Sequence, residues 1–147
     1  MKRTLPVLSV LLLSMFAVQA VAQEHYTEGP VWRCTLVRVK EGQMDTYLTS
    51  LRTSSKPLIE EEKKQGLILD YKVFLKETKE NAQDWDLAVC ILYKDHAALD
   101  GLAAKVEVVR DKVSSKQAMQ QVADKRVAVR ELVSSVEMQE VILKDPK

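Results

Sequence analysis

Apolar residues change period several times along the chain, and each change marks an element. From Val31 to Lys40, Val31, Thr35, Val37 and Val39 alternate with Trp32, Cys34 and Leu36, a β-rich run apolar on both faces that predicts a central strand. After Glu41-Gly42 the period lengthens. Met44, Tyr47, Leu48, Leu51, Leu58 and Ile59 fall at offsets 0, 3, 4, 7, 14 and 15, one stripe of a helix over Gln43 to Gln65. Ser55 takes the missing offset 11 and Pro57 withholds a backbone donor, so this helix should kink near Thr53 to Pro57. Gly66, after Lys63 and Lys64, stops it.

The cleanest alternation follows, with Leu67, Leu69, Tyr71, Val73 and Leu75 set against Ile68, Asp70, Lys72, Phe74 and Lys76. A polar loop, Glu77 to Asp84, leads to a partner strand in which Trp85, Leu87, Val89, Ile91 and Tyr93 alternate with Asp86, Ala88, Cys90, Leu92 and Lys94, and the two form a hairpin. Asp95 can cap a helix carrying Leu99, Leu102, Ala103, Val106 and Val109, which Gly101 weakens by about 1 kcal/mol relative to Ala. Ser114 with Gln117 reads as a capping box. A last helix runs through Met119, Val122, Val129 and Val133, and a final strand spans Val136 to Leu143.

The order strand, helix, strand, strand, helical segment, strand is that of the ferredoxin-like split βαβ fold. This α+β class has a four-stranded antiparallel sheet with its helices on one face. Apolar residues on both sides of the first and third strands leave the other face in need of cover. A homodimer with sheets packed face to face, a dimeric α/β barrel, is the simplest solution.

From about Val31 to Leu143 the chain resembles the dimeric α/β-barrel superfamily, particularly its NIPSNAP-like and antibiotic-biosynthesis-monooxygenase-like domains. The residues that carry the resemblance are the first strand running into Val39-Lys40-Glu41-Gly42, then Tyr47-Leu48, Pro57-Leu58-Ile59, and Gly66 opening the next strand at Leu67. The resemblance implies the barrel fold. One branch of the superfamily oxygenates or degrades bound aromatic or haem substrates, and many members, exported ones included, have no assigned activity. No residue here matches a specific catalytic motif of that branch.

The first twenty-two residues follow another grammar. Lys2 and Arg3 precede an apolar run from Leu5 to Val18 and an Ala20-Val21-Ala22 site, as in a secretory signal peptide. The run is interrupted by Pro6, Ser9 and Ser14 and is shorter than the roughly 20 residues that span a bilayer. We therefore expect cleavage, a periplasmic or secreted destination and no membrane attachment afterwards. The division is 1–22 leader, 23–30 linker, 31–143 domain and 144–147 tail. Removing Lys2 and Arg3 lowers the 22 basic residues to 20 against 21 acidic ones, a net charge of about −1 with the two signs interspersed. Such a chain lacks the basic field that nucleic acid requires.

Candidate chemistry is sparse. Trp32 and Trp85 begin strands read here as parallel neighbours, which would bring both rings to one end of the sheet. Arg33, Asp84 and Asp86 flank them, and an apolar floor with a few polar groups suits a small ligand; packing alone also accounts for two tryptophans. Cys34 and Cys90 fall in the same two strands, leaving open either a disulfide, suited to an oxidising compartment, or two buried free thiols. His25 and His96 make no paired ligand spacing, so neither a metal nor a cofactor is expected, although His96 could face a barrel mouth. Glu60-Glu61-Glu62 before Lys63-Lys64 reads as a solvated helix end with a Glu60 to Lys64 pair. No nucleophile elbow, phosphate loop or dinucleotide glycine motif occurs, which disfavours the commonest hydrolase and kinase chemistries. Three functions remain: a dimeric, exported binder of a small apolar or aromatic ligand, or a stress-associated module of that kind; a cofactor-free monooxygenase-like enzyme with Trp32, Trp85 and His96 around an aromatic substrate; or a structural partner of another envelope protein.

Overall fold

The computed structural model describes residues 25–146, and the expected leader, residues 1–22, lies outside them. The elements are β1 (Tyr26–Val39), α1 (Met44–Ser50), a π-helical turn (Leu51–Ser55), α2 (Lys56–Lys64), β2 (Asp70–Leu75) and β3 (Leu87–Tyr93). A 3₁₀ turn (His96–Leu99), α3 (Leu102–Val113), α4 (Lys116–Val129) and β4 (Arg130–Leu143) complete the domain. The sheet order is β2-β3-β1-β4 with every neighbouring pair antiparallel, which is the ferredoxin-like topology.

Pairing assigns the two faces. Val31, Arg33, Thr35 and Val37 of β1 stand opposite Tyr93, Ile91, Val89 and Leu87 of β3, and this face meets the helices. Val37 and Leu87 pack on Tyr47 of α1, with Val129 of α4 beside them. Tyr93 packs with Ile68 and Leu102, with Ile59 and Val106 beside them. Helices α2 and α3 pack together, as do α1 and α4. The opposite, open face carries Trp32, Cys34 and Leu36 against Leu92, Cys90 and Ala88. Here Cys34 and Cys90 are buried, with Trp32, Leu36 and Trp85 packed around them.

The long first helix is interrupted where Pro57 demands it. Proline has no N–H to offer the turn before it, and the ladder widens so that the Lys56 N–H reaches the Leu51 carbonyl, the five-residue spacing of a π turn. The helix ends at Gly66, which has φ +72°. The Leu67 N–H bonds the Glu62 carbonyl and the Gly66 N–H that of Lys63, both at 3.0 Å, a Schellman cap.

Several boundaries differ from the sequence reading. Residues 26–30 are strand, not linker, because Tyr26, Thr27 and Glu28 pair with Leu143, Ile142 and Val141. At the register shift that follows, a Cβ on Gly29 would lie 3.0 Å from the Glu140 Cβ, so any larger residue would have to push β4 aside slightly. Likewise β4 begins at Arg130, not Val136. Val129 and Val133 sit at helical spacing, but Arg130, Glu131 and Leu132 pair with Val39, Arg38 and Val37, satisfying backbone groups that would otherwise lack partners on that edge of β1. Gly101 does not weaken a continuous helix; at φ +63° it separates the 3₁₀ turn capped by Asp95, whose Oδ1 accepts from the Ala98 N–H at 2.8 Å, from α3. The α4 cap is Ser115, accepting from Ala118 at 3.2 Å, one residue beyond Ser114. Lys64 pairs with Glu61 at 3.5 Å, while Glu60 accepts from the Tyr71 hydroxyl at 2.8 Å.

Cys34 and Cys90, directly opposed in β1 and β3, form a disulfide across 56 residues of sequence. Loop closure over that length corresponds to about 4 kcal/mol. Replacing both cysteines by alanine should lower the unfolding free energy by at least about 3 kcal/mol, measured by urea titration.

Glu62 is 7% exposed between α2 and α3, and its burial raises its pKa against the pull of Arg110. A carboxyl raised in the folded state contributes stability when protonated and loses it as pH climbs from the unfolded pKa through the folded one. Glu62→Gln should therefore match the parent at about pH 4 and exceed it at about pH 8, near and well above the ordinary carboxylate range, in thermal melts.

Candidate functional site

Antiparallel pairing separates the residues that a parallel arrangement would have gathered. Trp32 stands opposite Leu92, at the far end of β3 from Trp85. Both rings nonetheless share the open face and flank the disulfide from either side. The Trp32 indole N–H donates to Glu140 Oε1 at 2.6 Å, and the Lys72 ammonium lies 5.4 Å from its ring centre. Lys76 lies 5.2 Å from the ring of Trp85.

The flanking charges bind the protein to itself. Asp84 pairs with Lys76 and accepts the N–H groups of Trp85 and Glu80, so its carboxyl is held below the ordinary range, the Lys76 bond first among the causes. Burial opposes ionisation of Asp86, but Lys79 and the Val39 N–H, 2.8 Å from Oδ2, outweigh it and lower its pKa. Arg38 donates to the carbonyls of Gln83 and Asp84 and pairs with Glu131 at 2.9 Å. These residues fasten the β2–β3 loop to the end of β1. Arg33 points to the helix side, pairs with Glu137 at 2.9 Å and lies 5.9 Å over the Tyr93 ring. His96 Nδ1 is 3.3 Å from the same Glu137. Trp32, Trp85 and His96 therefore do not line one pocket within a chain.

Two clefts meet at the π-helical turn instead. One, about 250 Å³, lies between that turn and the β2–β3 edge of the sheet, with Leu48, Leu51, Ile59, Val73 and Val89 forming an apolar floor. Arg52, Ser55, Lys56 and Tyr71 stand around it. The Tyr71 pKa is raised by its bond to Glu60, so the phenol stays neutral. The second, about 380 Å³, lies between the turn and α4 and is lined by five hydroxyl side chains (Thr46, Thr49, Ser50, Thr53, Ser54), Lys125 and Arg126, with Val122, Ala128 and Val129. None of Trp32, Arg33, Asp84, Trp85, Asp86 or His96 lines either cleft.

Of these residues, Pro57 marked the turn in the sequence, and Leu48, Leu51 and Ile59 lay on the predicted helical stripe. Arg126 had no such signal, since it meets Ser50 and Ser55 only across more than seventy residues. Among the described residues, no cluster of three or more His, Cys, Asp or Glu side chains could hold a metal ion, and no helix is long and apolar enough to cross a membrane.

The chain is similar to the crystal structure of HapK from Hahella chejuensis, at 10% identity over 75% of this chain and 91% of that one, with a TM-score of 0.49. It is also similar to a dimeric ferredoxin-like protein from an uncultured marine organism, at 12% identity over 82% and 99% respectively, with a TM-score of 0.44. No family model and no curated protein matches the sequence.

The Arg33–Glu137 pair has a pH signature. Hydrogen bonds from Arg33 are the leading cause that lowers the Glu137 pKa, burial opposes them, and the charges of Arg33 and His96 add to the lowering. The stability this contributes is present above the ordinary carboxylate range and is lost as pH falls through the lowered value. In Arg33→Met, the Glu137 carboxyl should titrate nearer its ordinary range in a carbon-detected NMR titration, and the acid-side stability slope should shrink.

Proposed function

We propose that this protein is an exported, homodimeric module that binds a small apolar or aromatic molecule in the cleft between the π-helical turn and the β2–β3 edge. The observation that carries the reading is that floor of five aliphatic side chains with polar groups confined to its surroundings, the composition of a small-molecule site. At about 250 Å³ it falls below the roughly 300–1,000 Å³ of drug-sized pockets, so a single ring with a short substituent is the size it favours. Exposed Arg52 and Lys56 at its mouth suit a ligand with a carboxylate or other anionic end.

Self-association is supported by the open face. In β4 the residues on the helix side are Ser135, Glu137 and Gln139, whereas Val136 and Met138 share the open side with Cys34 and Trp32. Val136 is 38%, Met138 49% and Phe74 of β2 48% exposed. An edge strand that turns its apolar residues to the uncovered face calls for a second copy there. Export is supported by the leader-like residues 1–22 and by the Cys34–Cys90 bridge, a bond that persists in oxidising compartments.

Native mass spectrometry of protein purified from the periplasm tests the proposal. The expected species is a dimer lacking residues 1–22 and carrying extra mass, and Val73→Trp, which fills the cleft, should shed that mass while remaining dimeric. Met138→Glu should instead weaken association by about 2 kcal/mol or more, as for a central interface residue. A monomer at micromolar concentration would overturn the dimer. Failure of both the native protein and the added dye anilinonaphthalene sulfonate to show cleft occupancy that Val73→Trp removes would overturn the pocket.

A further inference from the structure

The second cleft lies on the α4 side of the π-helical turn, and its chemistry is different. Arg126 of α4 is partly buried at its wall. Its guanidinium donates from Nε to Ser50 Oγ at 3.5 Å and from Nη2 to Ser55 Oγ. Among the described residues no carboxylate pairs with it. Hydroxyl oxygens accept hydrogen bonds but bring no formal charge, and a desolvated cation without a counter-charge is costly. Burial is accordingly the leading cause lowering the Arg126 pKa, with Tyr47 opposing and Arg130 reinforcing it. Arg130 is near enough to act on it, its guanidinium 5.5 Å from the Tyr47 ring centre, its Nε buried without a hydrogen-bond partner, and no carboxylate paired with it among the described residues. Arg126 and Lys125 thus line a groove that contains no acidic residue among the described residues, with Arg130 close to Arg126.

The hydroxyls are disposed to donate. Ser50, accepting from Arg126, keeps its own O–H for a further acceptor, and Ser50 lines the groove. Thr53 differs, because its hydroxyl donates to the Thr49 carbonyl at 2.8 Å, leaving Thr46, Thr49, Ser50 and Ser54 as the available donors.

We propose that the groove between the π-helical turn and α4 binds a small oxyanion of the phosphate class, with Arg126 as its central partner and Ser50 and Lys125 completing the contacts. Arginine presents a planar fork of donors that matches phosphate oxygens, and a groove of about 380 Å³ has room for a free ion or the phosphate end of a small ester. This inference does not depend on the apolar cleft.

The test is isothermal titration of the mature protein with inorganic phosphate at constant ionic strength, alongside the Arg126 Nε–H resonance in ¹⁵N NMR. Saturable binding that shifts the Arg126 resonance is expected, with affinity falling at least about tenfold, or about 1.4 kcal/mol, in Arg126→Met and less in Ser50→Ala. Lys64→Met, which removes the same charge from an exposed site on α2, should leave binding unchanged. Glycerol phosphate binding more tightly than the free ion would identify an organic phosphate as the ligand, and equal affinity would identify the ion itself. The Arg126 resonance in the unmodified protein keeps the test decisive if Arg126→Met fails to fold. No saturable binding, a resonance that does not move, or an equal loss in Lys64→Met would overturn the proposal.

Discussion

The pairing of Cys34 with Cys90 is the constraint on which the rest of the molecule depends. Side chains along a strand alternate between faces, so a slip of one residue between β1 and β3 would exchange the two sets. If β1 slipped, Val37 would leave Tyr47 while Trp32 and Leu36 would turn toward the helices. The disulfide forbids that slip covalently. It also lies on the open face, where none of the described helices supplies cover and the two tryptophans pack on the bridge from opposite ends. One bond thereby sets the register of the central strands and gives the uncovered face a small core of its own.

Where local pattern and tertiary demand agreed, the sequence was readable. The alternation from Leu67 to Lys76 and from Trp85 to Lys94 located β2 and β3, and Pro57 located the widening of the helix. Where they competed, tertiary pairing won. Val129 and Val133 keep helical spacing, yet the chain turns to strand at Arg130 because the last third of β1 needs a partner. Tyr26 to Pro30, short of apolar residues, are strand for the complementary reason, since β4 is long enough to pair with them. The relative direction of β1 and β3 was not written in either strand. It depends on the whole connection between them, and reading it as parallel placed Trp32 and Trp85 at the same end.

The same contrast governs the clefts. A helical stripe shows which residues face inward but not where the inward face fails to be filled. Leu48, Leu51 and Ile59 were visible as core positions, whereas the space left between them and Val73 beside the π turn was not. One irregular turn thus serves two neighbours of opposite character. It presents Leu51 to an apolar floor and Thr53 and Ser54, beside Ser50 at the end of α1, to the groove beside Arg126, while Ser55 touches the first cleft and accepts from Arg126 across the second.

The placement of β1 has a kinetic consequence. The strand nearest the start of the described chain lies in the middle of the sheet, and one of its two neighbours is β4, the last element; the His25 carbonyl and the Lys144 N–H meet at 2.9 Å. Contacts so distant in sequence fold slowly, because loop closure must precede the gain from pairing. During synthesis the centre of the sheet stays incomplete until residues 130–143 have emerged. The sheet therefore closes only when the first and last of its described strands, β1 and β4, meet, which makes their pairing the closing step of folding.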